Sequence, residues 1–266
     1  MHTILSIAGS DSSGGAGIQA DLKTITCLGE YGMSVITAIT AQNTMGVNDV
    51  ENVSVPMVKA QIDAVMEDIF PDAVKLGMIA TPQIMEAVCE KLKRYPVKNV
   101  VVDPVMVATS GSNLMENETI GCLKNKLIPL ADIITPNLKE AEVLSQMPIS
   151  NREDMVDAAR KIGETYSGAI LIKGGHLIEE AADLLYENGE ITWYVGKRYA
   201  NENTHGTGCT LSSAIATFLA KGYNMKESVG YAKQYVADAI AADLNLGHGH
   251  GPLWHNHKIT NEINEG

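Results

Sequence analysis

The sequence predicts an α/β protein built on a mostly parallel, doubly wound sheet. Short apolar runs rich in branched residues alternate with longer segments whose apolar positions recur every three or four residues, as a sheet covered by helices on both faces requires. The runs end in Gly, Asp-Pro or Lys-Gly-Gly, the polar punctuation expected where parallel strands empty into a ligand crevice. One Asn-Gly pair flanked by apolar residues adds an antiparallel edge hairpin. With 266 residues, 45% of them hydrophobic, the chain is long enough to bury one large core, and a single domain is expected.

The elements follow in order. Residues 3–8 form an apolar run that stops at Gly9 and read as a buried opening strand. The loop Gly9-Ser10-Asp11-Ser12-Ser13-Gly14-Gly15-Ala16-Gly17 lacks the lysine of a P-loop and the spacing of a dinucleotide fingerprint. It leads into a helix over 16–28, in which Asp21 faces either solvent or a ligand in the loop. Residues 33–39 are the second strand, with Gln42-Asn43-Thr44 just beyond it. The Gln42 amide donates and accepts at once, which suits a heteroaromatic ring edge and equally an ordinary turn. Pro56 opens a helix with Val58, Ile62, Val65, Met66 and Ile69 as its core positions.

Strands over 73–76 and 99–102 enclose a helix over 82–92. The second of these strands ends in Asp103-Pro104, either a common turn or a carboxylate aimed into the crevice to serve a hydrated Mg²⁺. A helix over 116–127 and a strand over 133–135 lead to Asn137 and Glu140, whose spacing is that of a helix capping box. Asn151 and Asp154 open the next helix, to about 166. The strand over 169–173 ends in Lys173-Gly174-Gly175-His176, an ammonium beside glycines where a phosphate is welcome. Residues 184–195, split by Asn188-Gly189, are the hairpin, and 225–244 a long final helix with Val229, Val236 and Ile240 toward the core.

Between hairpin and final helix lies His205-Gly206-Thr207-Gly208-Cys209-Thr210-Leu211. Glycines at the start of a helix let successive N–H groups turn toward one anion, and a thiol in that first turn has its thiolate favoured by the same field. An inert buried cysteine in a plain loop is the alternative. The four cysteines, Cys27, Cys89, Cys122 and Cys209, form no Cys-x-x-Cys pair and are expected to be reduced thiols. A formal net charge of -12 without a basic cluster argues against nucleic acid or an anionic membrane as partner. Neither a signal peptide nor a membrane span is legible, so a cytoplasmic protein is expected. Residues 247–266 read as a flexible His/Gly-rich tail, with His248, His250, His255 and His257 lacking the partners that fix a metal geometry.

Taken together, Gly9 through Asp21, Asp103-Pro104-Val105-Met106, Thr135-Pro136-Asn137-Leu138-Lys139-Glu140-Ala141 and Gly206-Thr207-Gly208-Cys209-Thr210 give the chain a family likeness. It resembles the bacterial hydroxymethylpyrimidine/phosphomethylpyrimidine kinases of the ribokinase-like superfamily over about residues 3–252. The resemblance implies a three-layer ribokinase-like sandwich and two ATP- and Mg²⁺-dependent transfers in thiamin biosynthesis. The first is to the hydroxymethyl oxygen of 4-amino-5-hydroxymethyl-2-methylpyrimidine, the second to the resulting phosphate. It also implies roles: Cys209 as base, where most of the superfamily carries Asp, and Gly206, Thr207 and Gly208 as the anion hole. Lys173 and Asn137 would meet the ATP phosphates, while Asp103 and Glu140 would serve Mg²⁺ through water. Gln42, the backbone at Ala16 and Gly17, Asp21, Met78 and Val105 would surround the pyrimidine. A homodimer is implied as well.

A pyridoxal kinase of the same subfamily shares nearly all these motifs. Ala108 stands where cysteine-based pyridoxal kinases of this type carry a second cysteine, which favours the pyrimidine enzyme. A regulator that binds the pyrimidine without transfer would have lost Cys209, Lys173 or Asp103, and all are present. Ser110-Gly111-Ser112 gives the loop over 104–116 the composition of a lid.

Overall fold

Among the described residues nine strands make one sheet: β1 (Thr3–Asp11), β2 (Tyr31–Asn43), β3 (Gly46–Asn52), β4 (Ala73–Leu76), β5 (Val100–Val102), β6 (Ile133–Ile134), β7 (Ala169–Ile172), β8 (Ala181–Glu187) and β9 (Glu190–Gly196). Their order is β3-β2-β1-β4-β5-β6-β7-β8-β9. The structure, a computed structural model, describes residues 1–106, 116–175, 181–196 and 203–259. Neighbours from β2 to β7 run parallel, and β3, β8 and β9 are antiparallel additions at the two edges. The chain leaves β1 first toward β2 and later toward β4, so the topological switch point lies between β1 and β4. Among the described residues no helix is long and apolar enough to cross a membrane.

Helices cover both faces, and strand alternation decides which residue meets which layer. Leu5 and Ile7 of β1, with Val74 and Leu76 of β4, pack in the cluster that takes residues of α2 (Val55–Met66), α3 (Pro82–Arg94), α4 (Asn117–Cys122), α5 (Leu138–Ser145) and α6 (Arg152–Gly163). Ile4 and Ala73 face the other way, to α1 (Gly17–Cys27), α7 (Thr207–Ala220) and α8 (Met225–Ala241). By the same alternation Ser6 and Lys75 point into this second layer.

Three expectations change. The sequence shows one edge hairpin, at β8 and β9, where Asn188 and Gly189 take φ of 52° and 84° as a two-residue turn requires. A second hairpin, β2 with β3, exists as well, and Gln42 lies within β2 rather than beyond it. Ile69, expected in the core, falls past the end of α2 and is 39% exposed. The described part of the tail is packed, not loose. The His205 N–H donates to the Gly251 carbonyl (3.1 Å), Leu253 is buried, Thr210 Oγ1 and His255 Nε2 lie 2.9 Å apart, and the Tyr235 hydroxyl donates to the His255 carbonyl (2.8 Å). Its glycines serve contact: a Cβ on Gly251 would stand 2.0 Å from Asn203 Oδ1. Residues 260–266, the lid composition at Ser110-Gly111-Ser112, Ala108 and His176 lie outside the described residues.

Candidate active site

The crevice at the switch point is floored by glycine. Gly17 (φ 55°) begins α1, and a Cβ there would stand 2.3 Å from the Gly9 carbonyl oxygen. Gly206 (φ 82°) caps α7, where a Cβ would fall 1.8 Å from the Gly15 carbonyl. Both need the left-handed conformation and the missing side chain, so the first loop and the start of α7 close on each other only with glycine at these positions.

Asp11, at the end of β1, holds that loop. Its carboxylate accepts from the N–H groups of Ser13 (2.8 Å), Gly15 (3.1 Å) and Ala16 (2.8 Å), and lies 2.8 Å from His205 Nε2. Burial works to raise its pKa, but hydrogen bonds from His205, Ser13 and Ala16 outweigh it and hold the carboxyl down at about 2. The Ala16 N–H expected to meet the ring is therefore engaged by Asp11. Gln42 sits opposite, its Nε2 3.4 Å from His205 Nε2 and its Oε1 accepting from Thr40 (3.2 Å). Met78 and Val105 are half-buried, and the Met78 sulfur lies 3.3 Å from where a Gly9 Cβ would be.

Beyond the ends of β5, β6 and β7 the structure brings together Asp103, Asn137, Glu140, Lys173 and Gly208. Lys173 Nζ lies 2.8 Å from Asp103 Oδ1, which also accepts from Thr135 (3.2 Å). A Cβ on Gly208 would come 3.2 Å from Asp103 Oδ2 and 3.3 Å from Lys173 Nζ, so the start of α7 sits on this pair. The N–H groups of a first helical turn have no intrahelical acceptor, which makes Gly208 and its neighbours anion donors beside an ammonium. Burial disfavours the Lys173 ammonium, but Asp103 and Glu140 more than compensate and raise its pKa.

Asn137 and Glu140 do form a capping box on α5, as their spacing predicts: Asn137 Oδ1 accepts from the Glu140 N–H (3.0 Å), and Glu140 Oε2 from the Asn137 N–H (2.8 Å). The Lys173 N–H donates to Pro136 O (2.9 Å) and draws this helix start alongside. Glu140 Oε1 accepts from the Met106 N–H (3.3 Å). Burial, reinforced by Asp103, pushes the Glu140 carboxyl up to about 7 against the pull of Lys173 and these N–H groups.

Two expectations are overturned here. Cys209, half-exposed in the first turn of α7, is not a lowered thiol: burial pushes it up to about 11, with Asp21 and Asp103 adding to the rise, while Lys75 and the Gly17 N–H oppose it. Desolvation outweighs the partial charge of the helix end, and the thiol rests protonated at neutral pH. Asp21 faces neither solvent nor ring. Its side chain is fully buried, with Lys75 Nζ 2.8 Å from each oxygen, Ser6 donating at 2.5 Å and Ser213 at 2.7 Å. Sequence reasoning missed Asp11, His205 and Lys75. The signal for the last was a lysine inside a four-residue apolar strand, where a charge demands a partner.

A lysine, two carboxylates and a glycine-opened helix start, gathered beyond the carboxyl ends of β5, β6 and β7 in a mostly parallel sheet, define a small-molecule kinase of ribokinase-like fold. The family model described as phosphomethylpyrimidine kinase matches residues 11–254, and the chain belongs to that family. It is 50% identical over 258 residues to a hydroxymethylpyrimidine/phosphomethylpyrimidine kinase of Rhizobium meliloti, covering 96% of this chain and 97% of the relative. The crystal structure of phosphomethylpyrimidine kinase from Clostridium difficile 630 superposes with a TM-score of 0.82 at 49% identity, covering 90% of this chain and 100% of that one. A pyridoxal kinase from Bacillus subtilis, solved as an ADP complex, gives a TM-score of 0.90 at 38% identity over 98% and 99% of the two chains. The chain also spans about half (52%) of a thiamine biosynthesis bifunctional protein from Geobacter sulfurreducens, matching it at 48% identity over 95% of its own length.

Proposed function

We propose that this chain phosphorylates the hydroxymethyl oxygen of 4-amino-5-hydroxymethyl-2-methylpyrimidine from ATP, and then phosphorylates the monophosphate to the diphosphate. The observation that carries this reading is the meeting of Lys173, Asp103 and the Gly208 edge of α7 at a cysteine-bearing helix start, in a member of this family. Phosphoryl transfer asks for positioning and charge neutralisation more than for covalent chemistry. Lys173 and Asn137 take the ATP phosphates, and Gly206 and Gly208 turn N–H groups toward the group in flight, while Thr207, expected to join them, donates its N–H to the Thr204 carbonyl (3.3 Å). Gln42 reads the ring edge between Met78 and Val105, over the turn made by Ala16 and Gly17. Asp21 acts from behind, through Lys75.

The carboxylates fit Mg²⁺ held through water. Asp103 Oδ1 is occupied by Lys173 and Thr135, both Glu140 oxygens accept backbone N–H groups, and no group of three His, Cys, Asp or Glu among the described residues forms a direct cage. Bound there, Mg²⁺ would supply charge neutralisation to the triphosphate, with Asp103 and Glu140 holding its water. In the first transfer the ionised Cys209 sulfur receives the hydroxymethyl proton while the new O–P bond forms. The bond from γ-phosphorus to its bridging oxygen breaks, and ADP leaves with the electron pair. The second acceptor is already an anion, a phosphate monoester with a second pKa of about 6, so no proton has to be removed.

Mass spectrometry of the products of purified protein, ATP and Mg²⁺, with the pyrimidine and pyridoxal in competition, tests the assignment. Mono- and diphosphorylated pyrimidine are expected. Pyridoxal phosphate as the sole product would overturn it, as would binding without transfer. Cys209→Ala is expected to slow the first transfer by about 10² or more and the second by under about tenfold; equal losses would make the thiol a shape element only. A homodimer is read from the family resemblance, and sedimentation of the purified chain tests it.

A further inference from the structure

Lys75 is the largest of the fully buried side chains, a full ammonium in the central strand β4. Its partner Asp21 comes from α1, and two more groups close the cluster, Ser6 from β1 and Ser213 from α7. Every donor and acceptor in the cluster has a protein partner, so the cluster has no evident need of a ligand. Nor does stability explain it, since apolar side chains of similar volume serve a core as well as a buried ion pair, or better.

Its location is informative. Ser213 follows Cys209 by four residues on α7, so the two side chains share a face of that helix, one turn apart. The face that carries Ser213 onto Asp21 therefore carries Cys209 above the same pair. A Cβ on Gly77 would stand 2.8 Å from Lys75 Nζ, so the chain beyond β4 closes over the ammonium and keeps it from water. The charged groups acting on Cys209 are Lys75 from β4, Asp21 from α1, Asp103 beyond β5 and Lys173 beyond β7, with the Gly17 N–H at the start of α1. Of the two cations, Lys75 acts on the thiol the more strongly, and only Lys75 is fully buried.

We propose that Lys75, clamped by Asp21, Ser6 and Ser213, is a positioning residue whose fixed positive charge sustains the ionised form of Cys209 and so sets the rate of the first transfer. The proposal deepens the kinase reading and rests on it for the transfer, but the charge effect on the thiol stands apart from any substrate.

The test is the rate of iodoacetamide alkylation of Cys209, mapped by mass spectrometry on the full chain without substrate, from about pH 7 to about pH 10. Lys75→Met is expected to lower the rate at a given pH by about tenfold or more, a tenfold change being one pKa unit. Asp21→Asn, which keeps the cation and removes its counter-charge, is expected to raise it. A merely structural role would move both variants the same way. Should Lys75→Met fail to fold, the double variant Lys75→Met/Asp21→Asn removes both charges of the pair, and it is expected to alkylate more slowly than the parent because the cation acts on the thiol more strongly than its counter-charge. Unchanged pH profiles in all variants, or shifts of one sign in both single variants, would overturn the proposal. If the parent makes no pyrimidine phosphate, the kinase reading fails while the alkylation result still decides the role of Lys75.

Discussion

Lys75 and Lys173 are built from the same parts and do different work. Each belongs to a buried parallel strand or its carboxyl end, each lies 2.8 Å from an aspartate, and each has its pKa raised because neighbouring carboxylates outweigh the cost of burial. The Lys75 and Asp21 side chains are both 0% exposed, and hydroxyls occupy the remaining valence of the carboxylate. Lys173 keeps 17% of its side-chain surface and faces the start of α7 at Gly208. The difference teaches that an ion pair binds ligand only where it has donors left over. A closed pair acts through its field and through what it holds in place.

The largest expected effect falls on the closed pair. Lys75→Met alone leaves the Asp21 carboxylate buried without its cation and is expected to cost about 3–5 kcal/mol of stability, read from urea unfolding. Adding Asp21→Asn should return most of the loss; a double variant no better than the single one would mean that Lys75 serves by packing alone. Next comes the open pair. Lys173→Met should reduce both transfers by about 10²–10³, the scale of losing one charge-stabilising donor, in product-formation assays. Retention of either transfer within about tenfold of the parent would break the contrast between open and closed pairs.

The smallest effect concerns a third pair, Asp11 with His205, closed like the first but built between loops. The folded Asp11 carboxyl sits at about 2, below its ordinary value of 3.8, so the stability it contributes is fully present above about pH 4 and lost as pH falls toward 2. The shift corresponds to about 2 kcal/mol. Asp11→Asn should flatten that part of the curve of unfolding free energy against pH, and an unchanged acid limb would show that the loop is held by other contacts.

Much of this was legible in the chain. The short runs at 73–76 and 169–173 match β4 and, to within one residue, β7, and Asn188-Gly189 makes the turn it signals, because each is a local pattern with a local cause. Asn137 with Glu140 was readable as a cap for the same reason. The strand β3 was not, since Gly46–Asn52 is polar and largely exposed and is a strand only through pairing with β2. The packed tail was hidden too: glycines look alike in sequence whether they permit motion or a close approach, and Gly251 does the latter against Asn203.

By itself, the sequence determined the fold class, the placing of Asp103, Lys173 and Gly206-Thr207-Gly208-Cys209 at strand ends or a helix start, and the family. These follow from periodicity and short motifs, in which neighbours along the chain set the outcome. Only the tertiary structure decided that Asp21 turns inward to Lys75, that Asp11 and His205 join the first loop to α7, and that Cys209 rests as a thiol. Each of these is a balance between desolvation and charge among groups brought together from distant parts of the chain, Asp21 with Lys75 and Ser213 above all.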